Sequence, residues 1–104
     1  MFVNLTPHEV NIISDDGVMH IPPSGKVARC EQLEQPAGEI DGIRVTHVSM
    51  GEPIDLPPSR EGVTYIVSHI VLQKATWRKD LVKPGALVRN AAGEIVGCEG
   101  LYCL

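Results

Sequence analysis

The basic side chains are the part of this sequence best suited to chemistry with a ligand. Arg29 stands within the alternating segment KVARC (Lys26–Cys30), on the same face as Val27. Arg60 precedes the apolar run VTYIV, Arg78 and Lys79 follow SHIVLQKATW, and Arg89 lies in ALVRN. A guanidinium fork meets a phosphate or carboxylate through two parallel hydrogen bonds. Arg29, Arg78 and Arg89 are therefore candidates for holding an anion. Each also suits a surface salt bridge, and Arg78 and Lys79 suit the carbonyl end of a helix.

A second set is polar and uncharged. In NLTPHEVNI (Asn4–Ile12), Pro7 pushes Thr6 into an extended conformation, and a Thr-Pro-His turn can point the Thr6 hydroxyl and the His8 ring at one spot. His8 is read either as a ligand contact or as a histidine that bonds its own backbone. Ser68 is read as a helix cap, or as a cap that also faces an anion. Tyr65 and Trp77 are the candidates for a stacking face.

Other chemistries lack their residues. The sequence has no G-x-G-x-x-G, no G-x-x-x-x-G-K-[ST] and no G-x-S-x-G. His8, His20, His47 and His69 are far apart, and Cys98 and Cys103 have no second ligand pair at zinc-knuckle spacing. No metal, cofactor or catalytic set is assigned. Asp15 and Asp16 read as turn formers, and Glu52 and Asp55 as solvated loop charges.

The elements that must position these groups are short. The 104 residues fit one domain, residues 1–104, with one core. Only Phe2, Tyr65, Trp77 and Tyr102 are aromatic, so the core is mostly aliphatic, which argues against a multi-base stacking platform. A net charge of -4 argues against duplex nucleic acid and anionic membranes as partners. The absence of an apolar run near membrane length, of a leader pattern and of dense cysteines points to the cytoplasm.

Along the chain, Val10–Ile13 and Val18–Ile21 form a hairpin around SDDGV. Lys26–Cys30 is a strand, Glu31–Gly42 a polar loop, and Ile43–Met50 an alternating strand. Gly51–Gly62, with its prolines, reads as an extended surface loop. Val63–Val67 is a buried strand, and Ser68 caps a short helix from His69 to about Ala75. Arg78–Gly85 is a charged loop, Ala86–Cys98 a closing hairpin turning at Ala91–Gly93, and the last residues an edge strand. The NLTPH knot lies ahead of a first strand beginning near Val10. The fold class is α+β, mainly β: a small antiparallel sheet or partly closed barrel with one short helix.

Four stretches, NLTPHEVNI, IPPSGKVARC, REGVTYIVSHIV and DLVKPGALVRNAAGEIVGCEGL, resemble in order and spacing a largely uncharacterised family of small proteins of phages, prophages and bacteria. The resemblance spans nearly the whole chain. It departs at Cys30, where an aliphatic is usual, and at the final YCL. The polar positions it singles out are Asn4, Thr6, His8, Ser24, Arg29, Tyr65 and Ser68. With Arg78 and Arg89 these form the expected ligand-binding set. By analogy, a small phage protein without catalytic motifs suits a sponge that sequesters a nucleotide signal of host defence in the host cytosol. Its pocket would be completed by a homo-oligomer, because a domain this small has little room for a deep one.

Three functions remain in competition. The first is a non-enzymatic module that sequesters a small anionic, nucleotide-like ligand. The second is a protein-binding inhibitor of a host factor, or a minor phage structural protein, making contact through a sheet edge and the Gly51–Gly62 loop. The third is a small nucleotide hydrolase or lyase using His8 and His69 as acid and base.

Overall fold

The computed structural model describes residues 1–104. In chain order the elements are β1 (Phe2–Asn4), β2 (Val10–Ser14), β3 (Gly17–Ile21), β4 (Arg29–Ile40), β5 (Ile43–Ile54), β6 (Thr64–Ile66), α1 (His69–Lys74), β7 (Leu81–Arg89) and β8 (Ile95–Tyr102). Strands hold 56% of the chain and helix 6%, so the protein is mainly β with one short helix.

Six strands form one sheet in the order β1-β6-β7-β8-β2-β3, curled into a half-barrel. β1, β6 and β7 run parallel, as do β8 and β2, while β7–β8 and β2–β3 are antiparallel. The curl brings the sheet's two ends together. Asn4 at the end of β1 bridges Pro23 just past β3, and the Ser24 amide donates to the Asn4 carbonyl at 2.9 Å.

β6 is the centre of the core. Successive residues Tyr65 and Ile66 are 2% and 0% exposed, which requires cover on both faces of the strand. Tyr65 and Val67 pack with Leu5, Val71, Leu72, Ala75 and Leu81 on the helix side. Ile66 packs with Val10, Ile21 and Cys98 on the other. A strand covered on both faces reads as an unbroken apolar run rather than an alternation, and VTYIV is that run. α1 begins where expected: Ser68 is its extended N-cap, its hydroxyl accepting from the Val71 amide at 3.4 Å, and Ala75 is its C-cap. The β2–β3 hairpin forms around SDDGV with Gly17 at φ +124°. β2 reaches β8 only because position 97 has no side chain. A Cβ on Gly97 would stand 2.6 Å from the Asn11 carbonyl oxygen.

Several segments differ from the sequence expectation. Glu31–Ile40 is not a loop but most of β4, and Gly51–Ile54 extends β5. The two pair as a long hairpin apart from the main sheet. Its tip is the two-residue turn Asp41–Gly42, both at positive φ (50° and 78°), between paired Ile40 and Ile43. Every side chain from Glu31 to Arg44 is exposed. The hairpin is an arm projecting from the half-barrel. It stretches the molecule to 54 × 40 × 24 Å with a radius of gyration of 16.8 Å, against roughly 13 Å for a compact domain of about 100 residues.

Three smaller differences follow from pairing partners that lie far away in sequence. A short strand, β1, precedes the knot and pairs with β6. Leu81–Gly85, read as loop, opens β7 beside β6. Glu99–Tyr102, read as an edge, continues β8 along β7 inside the sheet. The strand expected at Lys26–Cys30 starts only at Arg29. No helix is long and apolar enough to cross a membrane.

Candidate functional site

The NLTPH knot is tied by Asn4, the one buried polar side chain of the core, 1% exposed. Its Nδ2 donates to the carbonyls of His8 (2.8 Å) and Ile21 (3.0 Å). Its Oδ1 accepts from the Thr6 amide (2.9 Å) and lies 2.7 Å from the Thr6 hydroxyl. That hydroxyl has one proton and a second acceptor in reach, the His8 carbonyl at 3.0 Å. Both Asn4 donors and at least one acceptor position of Oδ1 are thus filled by the chain itself. The His8 ring is exposed and makes no hydrogen bond to the chain.

Around the knot lies an open cleft of about 430 Å³. Thr6, His8, Glu9, Asn11 and Ser68 supply its polar rim, and Val10, Leu87, Ile95 and Val96 its apolar wall. The structure therefore brings Thr6, His8 and Ser68 together. No lysine or arginine lines this cleft, and Glu9 is its one carboxylate. His69 does not line it.

The arginines expected to hold phosphate are dispersed, each with a partner of its own. Arg29 pairs with Asp55 at 2.8 Å across the base of the arm, both more than half exposed. Arg78 holds Asp80 with two bonds, Nε to Oδ1 at 2.8 Å and Nη2 to Oδ2 at 2.9 Å, with side chains only 13% and 17% exposed. The hydrogen bonds from Arg78 hold the Asp80 carboxyl below its ordinary range, against a smaller opposing effect of burial. The same bonding raises the Arg78 guanidinium. Arg78 also lies 5.9 Å over the Tyr65 ring. Arg89 donates to the Gly93 carbonyl at 2.8 Å and closes the β7–β8 turn.

Two cations without such a partner share one groove. Lys26 and Arg60 have no carboxylate within salt-bridge distance. Both line a groove of about 390 Å³ together with Ser24, Tyr65, Val3, Leu5, Pro57 and Pro58. Lys26 continues into an adjoining groove of about 510 Å³, walled by Asp55, Leu56, Pro57 and Pro58. The Ser24 turn presents Lys26: the Lys26 amide lies 3.4 Å from the Ser24 hydroxyl. The Tyr65 hydroxyl donates to the Pro58 carbonyl at 3.2 Å and steadies the opposite wall. Tyr65 is too deeply buried to offer a ring face for stacking, whereas Trp77 is 62% exposed.

The expected residues thus fall in separate places. Thr6, His8 and Ser68 share the cleft and Ser24 and Tyr65 share the groove, while Asn4 lies inside the knot. Arg29, Arg78 and Arg89 stand apart. Lys26 and Arg60 lie outside the expected ligand-binding set. The signal that could have found Lys26 is its place directly after the Pro-Ser-Gly turn. No group of three or more His, Cys, Asp or Glu side chains converges in a metal-ligating cluster.

What the fold and site define is a mainly β half-barrel with a projecting hairpin arm and several surface concavities, among them the apolar-walled cleft, the groove of Lys26 and Arg60, and a cavity of about 310 Å³ lined by Arg78 and Lys79. No family model, curated protein or solved structure matches the chain.

Proposed function

We propose that this protein is a non-catalytic binding module for a small anionic, nucleotide-like ligand, whose phosphate is held by Lys26 and Arg60. One observation carries the reading: these two cations lack carboxylate partners and share a groove with the Ser24 hydroxyl and apolar walls from Pro57 and Pro58. An ammonium supplies a point charge and a guanidinium a bidentate fork, the usual pairing for a phosphate. The proline walls suit the flat face of a sugar or base. Placed beside the resemblance to phage proteins, the reading extends to capture of a host immune nucleotide signal. Thermal-shift screening of cyclic dinucleotides and ADP-ribose-type compounds tests it. A ligand at 100 times its Kd stabilises the fold by about 2.7 kcal/mol, and the shift must vanish in Lys26→Ala/Arg60→Ala.

A second reading, contact with another protein chain, is favoured by the arm, whose apolar residues Leu33, Ile40, Ile43 and Val48 stand in solvent.

A further inference from the structure

We propose that the arm is a self-association device: the free edge of β5, from Ile43 to Met50, pairs antiparallel with the same edge of a second copy across a two-fold axis. This inference is independent of the anion groove.

The arm needs further strands. It is a two-stranded sheet in which β4 and β5 pair only with each other. Two strands alone are marginal in water, and three or more sharing an apolar face are needed for stability. The pairings Leu33↔Ser49 and Ile40↔Ile43 place Leu33 and Ile40 on the face of Ile43 and Val45. That face has no cover from the half-barrel, since all but Val45 of these are exposed.

The two free edges of the arm are unlike. β4 carries Glu31, Glu34 and Glu39, Pro36, and the extra residue of the register irregularity between Pro36 and Glu39; the one opposite Cys30/Gln32 lies on β5 beyond Met50. Charge, proline and bulges are the features that block edge pairing. β5 from Ile43 to Met50, IRVTHVSM, has no proline, glycine, acid or irregularity. Its β-branched residues favour a pleated ladder. Pro36 lies opposite Thr46. A proline fits a ladder only where its nitrogen faces away from the neighbouring strand, and the residue opposite then also turns its N–H outward. Thr46 therefore presents its donor on the free edge.

Charge favours this edge in a second copy. Pairing β4 with β4 would set the three glutamates of each copy against each other. In β5 from Ile43 to Met50, Arg44 is the one residue with a permanent charge. Antiparallel pairing about His47 sets Arg44 of one copy opposite Met50 of the other. The two guanidinium-bearing positions then lie about 20 Å apart at roughly 3.3 Å per residue, beyond a Debye length of about 8 Å. One isologous contact satisfies both edges at once and closes the assembly.

Sedimentation of the full chain reads this directly. The expected mass is twice the 11.3 kDa chain, falling to the single chain in Thr46→Pro with its circular dichroism retained. Glu34→Ala, on the opposite edge, is expected to leave the dimer intact. His47→Cys in a Cys103→Ser background is expected to give an oxidised dimer whose cross-linked peptide joins position 47 to position 47. This variant tests the register even if Thr46→Pro fails to fold. A wild-type monomer at every concentration would leave the arm to a different partner and overturn the inference. So would a dimer in which the His47→Cys pair never cross-links.

Discussion

The Asn4 side chain donates to the Ile21 carbonyl at 3.0 Å, joining the end of β1 to the end of β3 across the open side of the half-barrel. Two strands at opposite ends of the sheet order are thereby clasped by one amide. The same amide holds the Thr6–His8 turn, and the backbone bond from the Ser24 amide to the Asn4 carbonyl runs beside it.

Replacement of Asn4 by Ala should therefore cost stability. It removes the two bonds donated by Nδ2 and the one accepted from the Thr6 amide, and takes the Asn4 donor from the Ile21 carbonyl, at roughly 1–3 kcal/mol for a buried group left unpaired. The expected loss in urea denaturation is about 3 kcal/mol. Asn4→Asp should do no better, because a carboxylate oxygen would then face the carbonyls of His8 and Ile21. A loss below about 0.5 kcal/mol for Asn4→Ala would show that the clasp is not structural.

The Arg78–Asp80 pair predicts a pH dependence. Asp80 titrates lower in the folded chain than in the unfolded one, chiefly because Arg78 donates to it. The unfolded chain then binds more protons, so stability rises with pH through this window. The contribution is fully present above the ordinary carboxylate range and is lost as pH falls through the lowered folded value. Asp80→Asn should cost about 2 kcal/mol at neutral pH, the scale of a hydrogen bond to a charged group. It should also flatten the acid limb of a stability-versus-pH curve. An unchanged acid limb would contradict the assignment.

The three cysteines should react in a fixed order. Cys103 is exposed, Cys30 half-buried and Cys98 buried at 2%. Burial raises the Cys30 thiol, with Lys74 opposing and Glu52 adding to the effect, so its thiolate fraction near neutrality is small. Alkylation followed by mass spectrometry should label Cys103 first, Cys30 slowly and Cys98 only on unfolding. Early labelling of Cys98 would mean that the β2–β8 seam is open.

The parts of the fold set by local chemistry were legible in the sequence. SDDGV gave a hairpin, Ser68 capped a helix, and VTYIV formed a strand buried on both faces. The arm was not legible at Glu31–Ile40, and the reason is physical. Hydrophobic alternation records a buried face, and β4 buries none beyond Cys30. The dipeptide Asp41–Gly42, a strong signal for a two-residue hairpin turn, was the clue that could have found it. The site was legible only in pieces. Sequence reading finds arginines but not the carboxylates that occupy them: Asp55 reaches Arg29 from just past the end of β5, and Asp80 folds back on Arg78. Lys26 and Arg60 stand out only once the fold is seen, because the groove they share is a tertiary property.

Titration calorimetry of the wild-type chain against a panel of cyclic dinucleotides and ADP-ribose-type compounds tests the anion groove most directly. Bound material should be recovered by heating and weighed by mass spectrometry. Saturable binding of a phosphate-bearing compound is predicted, released with unchanged mass and abolished in Lys26→Ala/Arg60→Ala. The same binding should survive His8→Ala in the apolar-walled cleft. Absence of binding across the panel, or binding that persists in the Lys26→Ala/Arg60→Ala chain, would contradict the account.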